Sequence, residues 1–433
     1  MIQFNEQNEV ITAQDQTAIL VALDVDGETA KTERSLEELA GLAEAADVRV
    51  LGTMIQNLEK PNTATYLGTG KVAELAELCR TMEATLVIFD NELSGMQLRN
   101  LEDALDVKVI DRTILILDIF AARASSREGK LQVELAQLRY RLPRLTGFGK
   151  SLSRLGGGIG TRGPGETKLE TDRRHIEHRM DEIRAELAEV KNNRRTQRAR
   201  REKAGIPCAA LVGYTNSGKS AIMNRFLTET EKDEKSVFEK DMLFATLDTF
   251  QRKIRLDEGH EFILVDTVGF VSKLPHSLVE AFKATLEEVS TADLLIHVVD
   301  ASFAEHDFQM EVTRTVLGEI GAGEKDAIVV YNKCDLLSAE QRNELGFPKD
   351  EEAMLVSAKT GEGWEDLVKA IRTHLFGDRI RTRLVVPYTR GDIVSYLRER
   401  YAFDATEYVE QGTQIDVELS PEDFARLRDY TDE

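Results

Sequence analysis

The feature that most constrains this chain is a glycine-bounded loop between an apolar strand and a helix. Residues 208–212 read CAALV, an apolar run with the length and composition of a buried strand. They lead directly into GYTNSGKS at 213–220, which has the spacing GxxxxGK[ST], and then into a helical pattern. This strand-loop-helix order predicts a parallel α/β domain whose loop backbone faces phosphate groups.

The loop offers three kinds of phosphate contact. Its glycines allow backbone N–H groups to turn toward the α- and β-phosphates, Lys219 can neutralise β- and γ-phosphate oxygens, and the Ser220 hydroxyl can ligate Mg²⁺. The predicted nucleotide-binding residues of the loop are Gly213, Tyr214, Thr215, Asn216, Ser217, Gly218, Lys219 and Ser220.

Two further segments are candidates for sensing the terminal phosphate. The strand at 261–265 ends in DTVG, in which an aspartate can hold Mg²⁺ through water and a glycine N–H can contact the γ-phosphate. Before it, FATLD at 244–248 offers Thr246 as the second Mg²⁺ ligand beside Ser220, with Thr249 as a rival. The residues predicted to bind here are Phe244, Ala245, Thr246, Leu247, Asp248, Asp266, Thr267, Val268 and Gly269.

A last pair of segments predicts which base is bound. After the strand at 327–331 comes NKCD, whose aspartate can accept hydrogen bonds from guanine N1–H and N2–H, donors that adenine lacks. The SAK sequence at 357–359 also follows a strand and would place a backbone N–H near guanine O6. GTP and GDP are therefore the expected ligands. The predicted base-binding residues are Asn332, Lys333, Cys334, Asp335, Ser357, Ala358 and Lys359.

Residues 1–111 predict a separate α/β domain. Apolar runs at 19–25, 48–54, 86–90 and 107–110 alternate with helical patterns, which indicates parallel βαβ packing. The sequence GTGK at 68–71 lacks the full phosphate-loop spacing and is interpreted as a turn before a helix. Asp103, Asp106 and Asp111 are interpreted as solvated carboxylates rather than a hydrolytic pair.

Residues 112–205 predict an antiparallel helical hairpin. Apolar residues spaced alternately by four and three form two coiled-coil seams, at 131–142 and at 176–190. Helices of about 31 and 36 residues would bury these seams against each other. His175 and His178, three apart on the second helix, are interpreted as surface histidines rather than metal ligands.

The connection between the two helices is rich in glycine and basic residues. Eight glycines lie between 147 and 165, and residues 139–203 carry 18 Lys and Arg against nine Asp and Glu, whereas the whole chain has a net charge of −21. Glycine allows close approach to a partner, and arginines such as Arg154 and Arg162 pair with phosphates. The hairpin therefore predicts a local RNA-binding surface.

The remaining sequence completes a multidomain α/β chain. Residues 206–377 have the pattern of a six-stranded α/β domain, and residues 378–433 that of a small β-α-β-β-α unit. No apolar run approaches the roughly 20 residues that span a bilayer, and the first residues lack a secretory pattern. Three widely separated cysteines lack metal-like spacing. We expect a cytoplasmic protein without disulfides. We also expect a monomer, because the two coiled-coil seams can bury each other within the hairpin.

Taken together, these motifs resemble the HflX family of ribosome-associated GTPases, in the Obg-HflX superfamily of the translation-factor class. LGGGIGTRGPGETKLETDRR at 155–174, with FATLD and DTVGF, is distinctive of that family. The resemblance spans nearly the whole chain and is weakest after residue 377. It implies a GTPase that docks on the large ribosomal subunit, separates stalled or inactive ribosomes under stress, and uses the glycine-rich loop near the peptidyl transferase centre.

Phe270 departs from the pattern of small signalling GTPases. In Ras-like enzymes a Gln at this position orients the attacking water, which a phenyl ring cannot do. We therefore predict slow intrinsic hydrolysis that the ribosome stimulates, by ordering the switch segments or by supplying a positioning group. No residue of this chain is assigned as catalytic.

Three alternative functions are also consistent with parts of the sequence. A GTPase acting in ribosome assembly or RNA modification would equally explain a basic loop. A coiled-coil scaffold with a vestigial nucleotide site is disfavoured by the intact phosphate and guanine motifs. A separate ATP-using activity of the first domain is the weakest alternative.

Overall fold

The computed structural model describes two compact units. The described residues are 3–4, 10–11, 16–25, 27–145, 164–203, 205–230, 250–257, 260–273, 286–347, 352–377, 379–401 and 406–431. The first unit holds the described chain up to Val190 together with Ser272 and Lys273, and the second holds the other described residues.

The first unit is built on the predicted parallel sheet. Its strands are β1 (Gln3–Phe4), β2 (Val10–Ile11), β3 (Thr17–Asp24), β4 (Arg49–Asn57), β5 (Leu86–Phe89) and β6 (Lys108–Asp111). Its helices are α1 (Thr29–Ala45), α2 (Thr69–Met82), α3 (Gly95–Leu105), α4 (Arg112–Arg123), α5 (Arg127–Leu145) and the part of α6 (Pro164–Lys203) up to Val190. The order β4-β3-β5-β6 is parallel throughout, and β1 and β2 form a separate antiparallel pair.

The GTGK sequence is a turn before a helix, as interpreted. Gly68 is the N-cap residue of α2, and its N–H donates to Gln56 Oε1 over 2.9 Å. Lys71 forms an ion pair with Glu74 one turn further along the same helix, at 2.8 Å. These contacts hold the segment at the start of α2.

The interpretation of Asp111 as a solvated carboxylate is wrong. Its side chain is fully buried, where it caps α4 by accepting the Ile114 N–H at 3.0 Å. It also accepts the Leu93 N–H at 3.0 Å and the Tyr140 hydroxyl. Burial is tolerated because several donors replace the water that the carboxylate loses. Asp103 and Asp106 are exposed.

The helical hairpin pairs α5 with α6 through the predicted seams. Leu131, Leu135, Met180 and Ile183 are buried in one cluster. The α6 helix has 40 residues, and both His175 and His178 are exposed on it. The seams are thus confirmed as the contact between the two helices.

The first long helix predicted for this hairpin is divided in two. The helices α4 and α5 have 12 and 19 residues, with an extended Ala124 after α4. Ser126 directly precedes α5, and its Oγ accepts the N–H of Gly129 at 2.9 Å. A serine at this position favours a helix start over a continuous helix, because its hydroxyl satisfies a free backbone donor.

The second unit contains the predicted six-stranded sheet. Its strands are β7 (Cys208–Val212), β8 (Phe250–Asp257), β9 (His260–Asp266), β10 (Leu294–Asp300), β11 (Ala327–Asn332) and β12 (Glu352–Leu355). The helices around it are α7 (Lys219–Thr230), α8 (His306–Glu319), α9 (Ala339–Glu344) and α10 (Trp364–Phe376). The order is β12-β11-β10-β7-β9-β8, parallel except for β8 against β9. Loops at the carboxyl ends of β7, β9 and β11 therefore share one edge of the sheet.

The last part of the second unit has the predicted β-α-β-β-α order. It consists of β13 (Ile380–Val386), α11 (Gly391–Arg400), β14 (Thr406–Val409), β15 (Gly412–Leu419) and α12 (Pro421–Leu427). The three strands form an antiparallel sheet in the order β13-β15-β14. Its own core contains Leu384, Leu397 and Ile415, all fully buried.

Within the described residues, no helix combines the length and the apolar character that a membrane span requires. Cys79, Cys208 and Cys334 are buried, and none of the three is in a disulfide bond.

Candidate nucleotide-binding site

The GxxxxGKS loop connects the buried strand β7 to α7, as its sequence predicts. Gly213 and Gly218 have φ values of +145° and +94°, which glycine adopts without strain. A Cβ on Gly213 would lie 2.2 Å from the Val298 carbonyl oxygen, and one on Gly218 would lie 2.1 Å from Asn332 Nδ2. The loop therefore requires glycine at both positions for steric as well as conformational reasons.

Lys219 and Ser220 begin α7 inside the loop. The Lys219 amine is buried and donates to the carbonyl oxygens of Gly213 at 3.0 Å and Tyr214 at 2.6 Å. Burial lowers the pKa of Lys219 to about 8, although Asp266 acts in the opposite direction. Ser220 Oγ donates to Asp266 Oδ2 over 2.7 Å, so two hard oxygen atoms lie side by side at the start of α7 and the end of β9.

The residues after Asp266 pair with the phosphate loop through their backbone. The Phe270 N–H donates to the Gly213 carbonyl at 3.1 Å, and the Thr215 N–H donates to the Phe270 carbonyl at 2.7 Å. A Cβ on Gly269 would lie 2.6 Å from Thr215 Cα and 3.0 Å from Lys219 Nζ. The DTVGF segment thus lies directly against the loop, with Gly269 at the point of closest approach.

Phe270 itself is buried, with a 2% exposed side chain. Its backbone is held by the two hydrogen bonds to the phosphate loop, which also form a bridge with Tyr214. Neither its burial nor its chemistry suits it to orient water.

The two segments predicted to recognise the base meet at Asn332 and Asp335. Asn332 Nδ2 donates to the Ser217 carbonyl at 2.9 Å, and its Oδ1 accepts the Ala358 N–H at 3.0 Å. Ser357 Oγ donates to Asp335 Oδ1 at 2.6 Å. The structure therefore brings the NKCD, SAK and phosphate-loop segments together.

The other members of these segments have structural contacts. Lys333 has a φ of +63° and forms an ion pair with Asp300 at 2.7 Å. Cys334 is buried, and burial together with Glu362 raises the pKa of its thiol to about 11. Lys359 is exposed.

Two residues of the DTVG segment also have defined surroundings. Thr267 Oγ1 donates to the Leu211 carbonyl at 2.6 Å, and Val268 is buried.

One predicted segment cannot be compared with the structure. Phe244, Ala245, Thr246, Leu247 and Asp248 lie outside the described residues, as does the rival Thr249. Of the two predicted Mg²⁺ ligands, only Ser220 is therefore placed.

Two arginines that the sequence motifs do not include contact the NKCD and SAK segments. Arg225, on α7, donates to the Ala358 carbonyl at 3.2 Å. Arg342, on α9, donates to the Cys334 carbonyl at 2.7 Å and forms an ion pair with Glu362 at 2.5 Å. No local pattern marks either residue: Arg225 lies 133 positions from Ala358, and Arg342 lies on a helix eight positions after Cys334.

Comparison with known proteins supplies the assignment to a family. The GTPase HflX of Caldanaerobacter subterraneus subsp. tengcongensis is 47% identical to this chain, covering 98% of it and 95% of the relative. The GTPase HflX of Escherichia coli K12 is 42% identical, with 92% of each chain covered. The chain belongs to the HflX family of GTPases. It is therefore an enzyme that binds GTP and hydrolyses it to GDP and phosphate.

Family models match nearly every part of this HflX-family chain. They are the GTP-binding GTPase N-terminal region at 33–121, the GTP-binding GTPase middle region at 123–201, the 50S ribosome-binding GTPase at 208–333 and the HflX C-terminal domain at 347–429. The last match includes the part in which the motif resemblance is weakest. Among solved structures, a GTP-binding protein of Sulfolobus solfataricus in complex with GDP is 26% identical, with a TM-score of 0.43 over 83% of this chain and 98% of that one.

Proposed function

We propose that GTP and GDP bind at the loop cluster at the carboxyl ends of β7, β9 and β11, through the residues that the motifs predict. The contacts of Asn332 with Ser217 and Ala358 support this, because they hold the phosphate and base segments at one edge of the sheet. Asp335 accepts hydrogen bonds from guanine N1–H and N2–H, and a backbone N–H of the SAK segment donates a hydrogen bond to guanine O6. Adenine would leave the Asp335 carboxylate unpaired, which disfavours ATP.

Mg²⁺ completes this site, with Ser220 and Thr246 as its protein ligands. The fit is supported by the hard oxygen atoms of Ser220 and Asp266, 2.7 Å apart, which can exchange their mutual hydrogen bond for the ion and its water. When bound, Mg²⁺ neutralises charge on the β- and γ-phosphates. Lys219 contributes a second positive charge once nucleotide phosphates replace the loop carbonyls as its partners.

Intrinsic hydrolysis is slow, and a partner accelerates it. The supporting observation is Phe270, which is buried and backbone-paired at the position where Ras-like enzymes orient water with a Gln. A partner that orders the switch segments or supplies a positioning group would restore the missing function. In other GTPases, such assistance increases the rate by about 10³- to 10⁵-fold.

The partner is the large ribosomal subunit, and the outcome is the splitting or rescue of stalled or inactive 70S ribosomes under stress. The observation that carries this proposal is the match of residues 208–333 to the 50S ribosome-binding GTPase family. The basic hairpin with its glycine-rich connection, 146–163 of which lies outside the described residues, supplies the RNA-binding surface. GTP binding favours the ribosome-bound form, and hydrolysis releases the protein.

The competing hypothesis is a GTPase of ribosome assembly or RNA modification. Sedimentation with a nonhydrolysable GTP analogue separates the two, using mature 70S particles, mature large subunits and large-subunit precursors in parallel. Splitting of 70S particles and cosedimentation with mature subunits is the result we expect. Binding to precursors alone would favour the competing hypothesis.

The protein works in the cytoplasm as a monomer that associates with ribosomes.

A further inference from the structure

Ala358, the middle residue of the SAK segment, is held by a side chain at each of its two backbone polar groups. Its N–H donates to Asn332 Oδ1 at 3.0 Å, and its carbonyl oxygen accepts from Arg225 Nη1 at 3.2 Å. Asn332 belongs to the NKCD segment, whereas Arg225 lies on α7 and belongs to none of the motifs. All three residues are in the second unit. The peptide groups on both sides of Ala358 are therefore fixed by side chains.

Arg225 connects the SAK segment to the helix that follows the phosphate loop. It lies six residues after Lys219, the first residue of α7. Six residues are fewer than two helical turns, so α7 gives the SAK segment a fixed position relative to the loop at 213–220. Asn332 makes the corresponding connection at the N–H of Ala358, because its Nδ2 donates to the Ser217 carbonyl at 2.9 Å.

The guanidinium of Arg225 is oriented by two further partners. Its Nη2 forms an ion pair with Glu229 Oε1 at 3.0 Å, and its Cζ lies 5.1 Å from the centre of the Trp364 ring. Glu229 also accepts the indole N–H of Trp364. Trp364 is 5% exposed and packs on Phe226 with 4.4 Å between the ring centroids. One arm of the guanidinium is thus committed to Glu229, and the other donates to Ala358.

The turn after the SAK segment also packs directly against Arg225. Gly361 has a φ of +89°, and a Cβ on this residue would lie 2.3 Å from Arg225 Nη2. The Gly361 N–H donates to the Ser357 carbonyl at 2.8 Å, which closes the turn. The guanidinium therefore contacts the backbone of this loop at Gly361 as well as at the Ala358 carbonyl.

We propose that Arg225 is a positioning residue for guanine recognition, which sets the distance between the SAK backbone and the O6 atom of the base. This inference rests on the nucleotide site proposed above. In that site a backbone N–H donates to O6, so the groups that hold the loop determine the geometry of this hydrogen bond, which weakens steeply when it is misaligned. Guanine N1–H and N2–H are bound separately by Asp335, which is held by Ser357 Oγ at 2.6 Å. Loss of the Arg225 contact should therefore weaken recognition of O6 and spare recognition of the 2-amino group.

Two analogues of GDP separate these contacts. 6-Thioguanosine diphosphate keeps N1–H and N2–H but carries sulfur, a weak hydrogen-bond acceptor, in place of O6. Inosine diphosphate keeps O6 and N1–H but lacks the 2-amino group. The affinity for GDP relative to the 6-thio analogue therefore measures the O6 contact, and the affinity relative to inosine diphosphate measures the contact of Asp335 with N2–H. Competition with fluorescent GDP on the full-length protein gives both ratios.

The main variant is Arg225→Met, because methionine can still pack on Trp364 but has no donor for Ala358. The wild type should prefer GDP to the 6-thio analogue by about tenfold, the order expected when one hydrogen bond is lost and its partner is left unsatisfied. Arg225→Met should reduce this preference to about twofold and keep the wild-type ratio for inosine diphosphate. Arg381→Met, which changes an exposed arginine of β13, is the matched control and should keep both ratios.

A second variant, Arg225→Lys, distinguishes positioning from charge. A lysine ammonium can pair with Glu229, but it lacks the planar fork that reaches Glu229 and Ala358 together. Its preference for GDP over the 6-thio analogue should therefore fall as in Arg225→Met. A wild-type preference in either variant, or an equal loss of both ratios, overturns the proposal. Failure of the wild type to bind GDP would instead overturn the proposed nucleotide site.

Discussion

Asn332 donates a hydrogen bond from Nδ2 to the carbonyl oxygen of Ser217, over 2.9 Å and across 115 positions of sequence. The same side chain accepts the N–H of Ala358 through Oδ1 at 3.0 Å. A single amide therefore joins the 213–220 loop to the NKCD and SAK segments. This relationship supports the proposal that three segments distant in sequence form one nucleotide site.

Lys219→Ala should weaken GDP binding by about 100-fold, because the loop loses the charge that pairs with the β-phosphate. Fluorescence titration with labelled GDP measures this loss. Lys71→Ala, which removes an equivalent charge from α2, should bind GDP normally. Unaltered GDP affinity in Lys219→Ala would refute the assignment of the phosphate loop.

Asp335→Asn should reverse the base preference from guanine to xanthine. An asparagine amide can donate to the xanthine C2 carbonyl, but it no longer accepts both guanine donors. Competition between GDP and xanthosine diphosphate gives the ratio of affinities, and Asp366→Asn on the exposed face of α10 serves as the control. Retained guanine preference would contradict the role of Asp335.

The stabilising effect of His374 should depend on pH. His374 lies between Asp326 at 2.5 Å and Glu352 at 2.8 Å. Burial alone would lower its pKa, but the two carboxylates outweigh it and raise that pKa above the ordinary value. A raised pKa in the folded state means that the stabilisation is complete below the unfolded-state pKa and is lost as pH rises through the folded-state pKa.

His374→Gln should therefore lower the free energy of unfolding more at about pH 5.5 than at about pH 8.5. The difference should not exceed about 1 kcal/mol, because both carboxylates are half exposed and screened by water. Urea denaturation at the two pH values measures it. An equal loss at both would mean that the histidine contributes through packing rather than charge.

Deletion of residues 147–165 should abolish ribosome splitting and leave GDP affinity unchanged. The deletion removes the glycine-rich connection, whereas the α5–α6 seam that contains Leu135 and Ile183 lies outside it. Replacing Arg154 and Arg162 with Gln tests charge alone and should weaken ribosome binding while reducing its salt dependence. Undiminished splitting by the deletion variant would refute the role of the loop.

Much of this molecule could be predicted because its determinants are local. The strand and loop around Lys219 follow from apolar runs and glycine spacing, and the α5–α6 contact follows from alternating four- and three-residue steps. The predicted continuous first helix of the hairpin is wrong, because Ser126 caps the start of a new helix within the helical pattern.

Other features depend on tertiary placement and leave no local signal. In the sequence, Asp111 is one acidic residue among several. Only the fold surrounds it with the backbone N–H groups of Leu93 and Ile114 and the hydroxyl of Tyr140. Likewise, the contact of Arg112 with Ser272 joins residues 160 positions apart. Neither spacing nor composition could indicate contacts between residues so far apart in sequence.

The central claim is that the large ribosomal subunit activates this GTPase. Its most direct test is the rate of GTP hydrolysis with and without purified large subunits, at low and at moderate salt. We predict slow hydrolysis by the protein alone and strong stimulation that weakens as salt increases, because the basic hairpin contributes to binding. Tight GTP binding without any stimulation by mature subunits would contradict the claim and point to a different RNA partner.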